Sequence, residues 1–309
     1  MVRDTRRIVV TVGGNALVRP GEEGSIQQQY ERARALAAIL ATLPSDQQLV
    51  LTHGNGPQVG RVLLRSELCA DRIPPIPVNQ AVAATQGQIG TILQQALLNV
   101  AGRPTVTVLT QVVVRGDDPG FLEPTKFIGQ FYEEEVAKRR ALEFHWVVRR
   151  DSDRGWRRVV ASPQPVEIVE RDSIGRLLEG GITVVACGGG GVPVLRTDGE
   201  LVPVEAVVDK DRSTALLAHQ VKAYRLVSLT GVDEVQVDFG TPRARSLRDV
   251  TLEEMQEHLD AGQFPPGSMG PKVRSALQFL KEGGQEVIIT SPECLEEALA
   301  GKRGTRIRA

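Results

Sequence analysis

The stretch Arg7-Ile8-Val9-Val10-Thr11-Val12-Gly13-Gly14-Asn15-Ala16-Leu17 joins a short, β-branched apolar run to a pair of glycines. Such a run predicts a strand buried on both faces, as in a parallel sheet, with a loop opening at its carboxyl end. Open α/β sheets bind ligands at that edge. Without Cβ atoms, Gly13 and Gly14 allow backbone N–H groups to close on an anion. One glycine pair after a strand is more often a plain turn, so the repeat of the design matters. Gln48 to Thr52 runs into His53-Gly54-Asn55-Gly56-Pro57-Gln58-Val59-Gly60, a second glycine loop on a second strand. Its glycine spacing approaches a dinucleotide fingerprint, but Pro57 and the lack of an acidic residue closing a following strand argue against one.

Outward from these two loops, apolar Val/Ile runs alternate with segments of helical period, which predicts a mostly parallel sheet covered by helices on both faces. The expected strands are Arg7 to Val12, Gln48 to Thr52, Thr105 to Val113, Ile182 to Cys187, Arg225 to Thr230 and Glu286 to Thr290. The expected helices are Ser25 to Leu43, Gln80 to Val100 and Lys272 to Glu282, each with an apolar stripe. The stretch from Gly116 to Gln164 breaks the rhythm. It holds both tryptophans, Trp146 and Trp156, in short runs separated by Asp151-Ser152-Asp153-Arg154-Gly155, which predicts a β-hairpin inserted as a small subdomain. Its eight basic and three acidic residues between Lys138 and Arg158 fit a lid or anion-attracting rim and equally a solvated hairpin face.

A third glycine cluster, Cys187-Gly188-Gly189-Gly190-Gly191-Val192-Pro193, also follows an apolar run. Four glycines cost more backbone entropy than a turn requires, so close approach by a ligand or by another backbone segment is expected there.

The chain has 309 residues, 41% hydrophobic and 24% charged, with a formal net charge of −1, enough to bury a core and no reason to seek nucleic acid or an anionic membrane. No apolar stretch reaches spanning length, and no secretory leader is read at the start. Cys69, Cys187 and Cys294 are scattered and odd in number, against a disulfide framework or a paired-cysteine metal site, which fits a cytoplasmic protein. The four histidines show neither metal spacing nor a nucleophilic triad, so no protein metal site is expected; His53, bordering the second glycine loop, reads as a turn residue ahead of a substrate contact.

Of 37 basic residues only seven are lysines. Three of these sit in Gly/Pro-bounded or acidic motifs: Lys126 in Glu123-Pro124-Thr125-Lys126-Phe127-Ile128-Gly129, Lys210 in Val208-Asp209-Lys210-Asp211, and Lys272 in Gly267-Ser268-Met269-Gly270-Pro271-Lys272. Phosphoryl transfer spreads charge over equatorial oxygens while attacking and leaving groups lie in line, so positioning and cationic stabilisation dominate its catalysis. Compact ammonium charges suit that work. Asp211 can hold two such lysines apart; Asp209 can serve similarly or help a water-bound Mg²⁺. The common phosphate loop and the protein-kinase signature set are both absent.

Read in order, Gly-Gly-Asn-Ala-Leu, Gly-Asn-Gly-Pro-Gln-Val-Gly, Thr-Gln-Gly-Gln-Ile-Gly, Pro-Thr-Lys-x-Ile-Gly, Gly-Gly-Gly-Gly-Val-Pro-Val, Val-Asp-Lys-Asp and Gly-Ser-Met-Gly-Pro-Lys-Val resemble the carbamate kinases of the amino acid kinase family, from about residue 7 to residue 305. The resemblance implies an open αβα sandwich with a mostly parallel central sheet. Residues 1–205 would form an N-terminal lobe for carbamate or carbamoyl phosphate, with 116–164 as the protruding subdomain, and residues 206–309 a nucleotide lobe. It implies that Lys126, Lys210 and Lys272 contact the travelling phosphoryl group and that Asp211 orients lysines. Gly13, Gly14, Asn15, Gly54, Asn55 and Gly56 would hold the substrate anion. Thr230, Val232, Gly267, Ser268, Met269 and Gly270 would hold ADP or ATP, with Mg²⁺ carried on the nucleotide. It also suggests a homodimer. The wider family ends its first strand with a lysine where this chain has Thr11, and in carbamate kinases the insertion lysine, here Lys126, takes over that charge. Carbamate is already an anion, so no general base is needed to make its oxygen a nucleophile. Phe127, Thr91, Ala161 and Gln164 depart from the pattern and bear on the insertion and its docking. The competing readings are a kinase for another small carboxylate and a nucleotide-binding sensor of the same fold.

Overall fold

The computed structural model describes residues 4–13, 17–18 and 21–309. Its central sheet has eight strands in the order Asp249–Thr251, Thr305–Arg308, Glu286–Thr290, Ala223–Leu229, Asp4–Val12, Gln48–His53, Thr183–Val185 and Thr105–Thr107. Neighbours run parallel except Glu286–Thr290 against Thr305–Arg308. Because alternate side chains of a strand point to opposite faces, the apolar runs feed two cores. Val9 and Val50 pack with Ala215, Leu217, Ala276 and Leu277 of the helices Lys210–Gln220 and Met269–Lys281. Ile8, Val10, Leu49 and Leu51 pack on the other face with Ala33, Leu36, Ile89 and Leu93 of Ile26–Leu40 and Val78–Ala101. With both faces apolar and each buried Val, Leu or Ile contributing about 1.5–3 kcal/mol, the central strands belong inside a three-layer α/β/α stack.

The expected strands and helices appear within a few residues of their predicted bounds, with one correction. Thr105 to Val113 is two strands in two sheets: Thr105–Thr107 edges the central sheet, while Gln111–Val114 joins a second sheet ordered Glu200–Pro203, Val192–Thr197, Gln111–Val114 and Pro165–Ile168. The break is held at Thr110, whose N–H donates to Gln86 Oε1 at 2.7 Å and whose carbonyl accepts from Gln86 Nε2 at 3.2 Å. Gln86, in the Thr-Gln-Gly-Gln-Ile-Gly motif, thus clamps the point where the chain leaves one sheet for the other.

The insertion contains the expected hairpin, Val147–Arg150 paired with Trp156–Val160, together with two elements not predicted. Lys126–Tyr132 adds a third strand beside Trp156–Val160, and the helix Glu134–Phe144 links it to the hairpin. Two of its arginines pack on its own rings, Arg158 over Trp146 at 4.8 Å and Arg157 over Phe131 at 4.9 Å, with Arg157 also paired to Asp151 at 2.8 Å and Arg158 to Glu205 at 2.9 Å. The hairpin-face reading therefore describes these residues better than a free anion rim. The insertion docks on the helix Gly56–Leu68. Buried Glu67 accepts from the Tyr132 hydroxyl at 2.6 Å and pairs with Arg140 at 2.9 Å, and the backbone at Gly60 closes on Gly129.

The glycine run at 188–191 is required by the protein's own packing. A Cβ at Gly189 would meet the Asn55 amide at 2.2 Å, and one at Gly190 would lie 2.0 Å from the Val208 carbonyl oxygen, with φ at +65° and +97° respectively. Close approach by another backbone segment, one of the two predicted causes, is what the structure shows. Ser213 Oγ, on Lys210–Gln220, donates to the Gly190 carbonyl at 2.6 Å. Gly190→Ala is therefore expected to cost about 3 kcal/mol or more of folding stability; urea unfolding measures it, and a loss below about 1 kcal/mol would contradict this packing account.

Candidate active site

The helix Lys210–Gln220 starts at Asp209, whose side chain caps it by accepting the Asp211 N–H at 2.9 Å. Aspartate is among the best helix caps, and negative charge is favoured at a helix N-terminus. The Val-Asp-Lys-Asp motif thereby places two carboxylates and an ammonium on a single helical turn.

Three lysines meet there. Lys210 Nζ donates to Asp211 Oδ1 at 2.6 Å and reaches Thr11 Oγ1 at 3.4 Å. Lys272, in the first turn of Met269–Lys281, donates to the two oxygens of the same carboxylate at 3.1 and 3.3 Å. Lys126, the first residue of the insertion's Lys126–Tyr132 strand, donates to Asp209 Oδ2 at 2.6 Å. Lys126, Lys210, Asp211 and Lys272, expected together from sequence, are held together by the carboxylates of residues 209 and 211. The Lys210 and Lys272 side chains keep 16% and 13% exposure against 37% for Lys126, so the insertion lysine faces solvent most openly.

The electrostatics follow from burial and pairing. Burial opposes charge on Asp211, yet the adjacent Lys210 and Lys272 ammonium groups hold its carboxyl below the usual range. Burial likewise opposes charge on Asp209, but Lys126 overcomes it, helped by the Asp211 N–H and Lys210, and its pKa stands at about 2. Lys210 is pushed below the usual lysine value by burial, against the pull of Asp211 and with the repulsion of Lys272.

This cluster lies at the carboxyl edge of the sheet, beside both glycine loops. Thr11 sits near the end of the first strand with Gly13 just beyond it, and the Gly54 N–H donates to the Val12 carbonyl at 3.1 Å. Gly54-Asn55-Gly56 opens the helix Gly56–Leu68 with Asn55 at its cap position. The Asn55 side chain is taken by Thr85, to which its amide donates at 2.8 Å, leaving backbone N–H groups as its means of holding an anion. Gly14 and Asn15 lie outside the described residues. On the nucleotide side, the Thr230 N–H donates to the Thr290 carbonyl at 2.8 Å, directly after the strand Ala223–Leu229, and Val232 is exposed. Gly267, Ser268, Met269 and Gly270 form the turn into the Lys272 helix, with the Ser268 and Gly270 N–H groups on the Pro265 carbonyl at 3.3 and 2.9 Å.

His53 corrects its predicted place: it ends the strand Gln48–His53 and is 1% exposed, not a turn residue. Burial, only partly offset by the Gly54 carbonyl 3.0 Å from Nδ1, together with the Lys210 charge, lowers its pKa from 6.5 to about 4. The imidazole is neutral at pH 7, with its proton on Nδ1 facing that carbonyl. Of the departures, Thr91 bonds back to the Gly87 carbonyl at 2.8 Å on an exposed helix face, and the Gln164 N–H donates to Asp118 at 3.0 Å.

The amino acid kinase family model matches residues 6–291. The chain is 47% identical to "Carbamate kinase-like protein YahI" of Escherichia coli (strain K12), with 97% of this chain and 98% of that protein covered. It is 44% identical to "Carbamate kinase" of Pyrococcus furiosus, with 98% and 99% covered. The solved structure of carbamate kinase from Giardia lamblia bound to AMP-PNP is similar with a TM-score of 0.92 at 37% identity, covering 98% of both chains.

Between pH 6.5 and about 4 the unfolded chain binds a proton on His53 that the folded chain refuses, so stability falls as pH falls through this window. From pH 7 to pH 5 the contribution is about 2 kcal/mol. Urea unfolding of the wild type and of His53→Gln at the two pH values measures it: the variant should lack this part of the acid-side loss, and equal slopes would refute the assignment.

Proposed function

The chain belongs to the amino acid kinase family, and from that premise we propose how its site carries out the reaction of a carbamate kinase, reversible phosphoryl transfer between carbamoyl phosphate and ADP. A β-phosphate oxygen of ADP attacks phosphorus to give ATP; the bond from phosphorus to the carbamate oxygen breaks, and its electron pair leaves on carbamate, which afterwards takes a proton from water and falls apart to ammonia and CO₂. No proton moves in the transfer, which suits a site whose described side chains include no general base poised at pH 7. The observation that carries this reading is the trio of lysines from three separate elements, held by Asp209 and Asp211 at the start of one helix.

Lys210 and Lys272, kept apart and aimed by Asp211, stabilise charge on the equatorial oxygens, and Lys126 brings a third ammonium from the insertion. Backbone N–H groups of Gly13, Gly14, Asn15, Asn55 and Gly56 hold the carbamoyl phosphate side, with Gly54, whose own N–H is taken by the Val12 carbonyl, leaving room for the anion, within a lobe spanning residues 1–205. Thr230, Val232 and the Gly267–Gly270 turn hold the nucleotide in a lobe spanning 206–309. Among the described residues no group of three His, Cys, Asp or Glu side chains has the arrangement to hold a metal, and both site carboxylates already face lysines. These residues fit a Mg²⁺ ion ligated by the nucleotide phosphates and water, which supplies charge neutralisation when bound. No helix among the described residues is long and apolar enough to cross a membrane, and a cytoplasmic homodimer belongs to the same proposal. The full-length similarity to carbamate kinases does not favour the two competing readings.

A coupled assay of ATP formation from carbamoyl phosphate and MgADP tests the reaction; no ATP above a blank at millimolar substrate would refute it. Lys126→Ala should lower turnover by 100-fold or more, of order 3 kcal/mol of barrier, while leaving ADP affinity nearly unchanged. A loss below about tenfold, roughly 1.4 kcal/mol, would remove Lys126 from the chemistry. Lys272→Arg should also fail, because a planar guanidinium is larger than the ammonium seated on Asp211.

A further inference from the structure

Asp209 does two jobs with two oxygens. Oδ1 caps the helix by accepting the Asp211 N–H at 2.9 Å, a task that any neutral amide or hydroxyl oxygen performs nearly as well. Oδ2 faces Lys126 Nζ at 2.6 Å, across 83 positions of sequence. Burying a carboxylate is costly, and the cap does not need its charge, so the charge is kept for Lys126. The other two lysines differ in kind. Lys210 and Lys272 share the Asp211 carboxylate and are the more buried, whereas Lys126 has one carboxylate to itself and is the most exposed of the three.

Resting on the carbamate kinase reading above, we propose that Asp209 is a positioning residue that holds the Lys126 ammonium while no phosphoryl group is bound, yields it to the incoming phosphate oxygens, and takes it back as the product anion leaves. With all five side chains ionised, three positive and two negative charges leave the cluster at a net +1. An arriving phosphate competes with Asp209 for Lys126, and once it has won, the freed carboxylate stands close to the anion and repels it. Asp209 therefore weakens ground-state binding of the anion and speeds its departure.

Asp209→Asn tests this, because asparagine retains the cap and removes only the charge. The affinity for inorganic phosphate, read by calorimetry, should tighten at least fivefold in Asp209→Asn. In a Lys126→Ala background the same substitution relieves only the direct repulsion, with no ammonium left to compete for, and should tighten binding by at most half the factor seen with Lys126 present. In turnover, Asp209→Asn should lower both the KM for carbamoyl phosphate and kcat, as anion release slows. Phosphate binding that weakens or stays the same, a KM that rises, or an equal effect in the two backgrounds would each overturn the proposal. The phosphate titration needs no turnover, so it stands apart from the assay of the reaction. If the wild type makes no ATP from carbamoyl phosphate but the binding pattern holds, the substrate reading fails and the exchange at Asp209 survives.

Discussion

The architecture of the site depends on one constraint: three ammonium groups gathered in one cluster must be kept from repelling one another. Three ammonium groups alone would drive each other apart or give up protons. The chain solves this at the first turn of Lys210–Gln220, where carboxylates at 209 and 211 alternate with Lys210 and receive lysines from two other elements. The helix terminus helps twice, since its free N–H groups favour negative charge and one of them fixes the Asp209 side chain. Much of the surrounding packing keeps that turn in place. The glycines at 189 and 190 let Asn55 and the Val208 carbonyl come close, and Ser213 ties the helix back to Gly190.

The three-layer fold was legible because the central strands are apolar on both faces, and that pattern has few alternatives. Lysine's rarity in an arginine-rich chain singled out the site cations, and the structure brings all three to one helical turn. Other features were hidden for physical reasons. Thr105 to Val113 is uniformly β-prone, and nothing in such a run marks the residue where the chain changes sheets; the signal was Gln86, 24 residues away, bonding both backbone groups of Thr110. The helix Glu134–Phe144 buries only Ala137 among its residues, so it has no apolar stripe to read. His53 read as a turn residue because glycines follow it, while tertiary packing extends the strand through it. The four-glycine run pointed equally to a ligand or to backbone, and only the positions of Asn55 and Val208 decide between them.

The insertion joins the site through the element that also carries the second glycine loop. Gly56–Leu68 presents Gly54-Asn55-Gly56 at its start and holds the insertion along its length through Gly60, Glu67 and their partners. Lys126 is therefore positioned relative to the anion loop by a rigid helix, which suits a charge that must be placed to within a fraction of an ångström.

The ion cluster also bears on how the protein is made. Its members come from residues 11, 126, 209–211 and 272, and the strand Glu286–Thr290, which completes the sheet beside Ala223–Leu229, is later still. Lys272 can reach Asp211 only after the ribosome has released the chain through residue 272. Until then Asp211 has Lys210 as its only site lysine, and the central sheet lacks an interior strand. The full lysine cluster is thus assembled late in synthesis, and a product that ends before Lys272 lacks one of the two ammonium partners of Asp211.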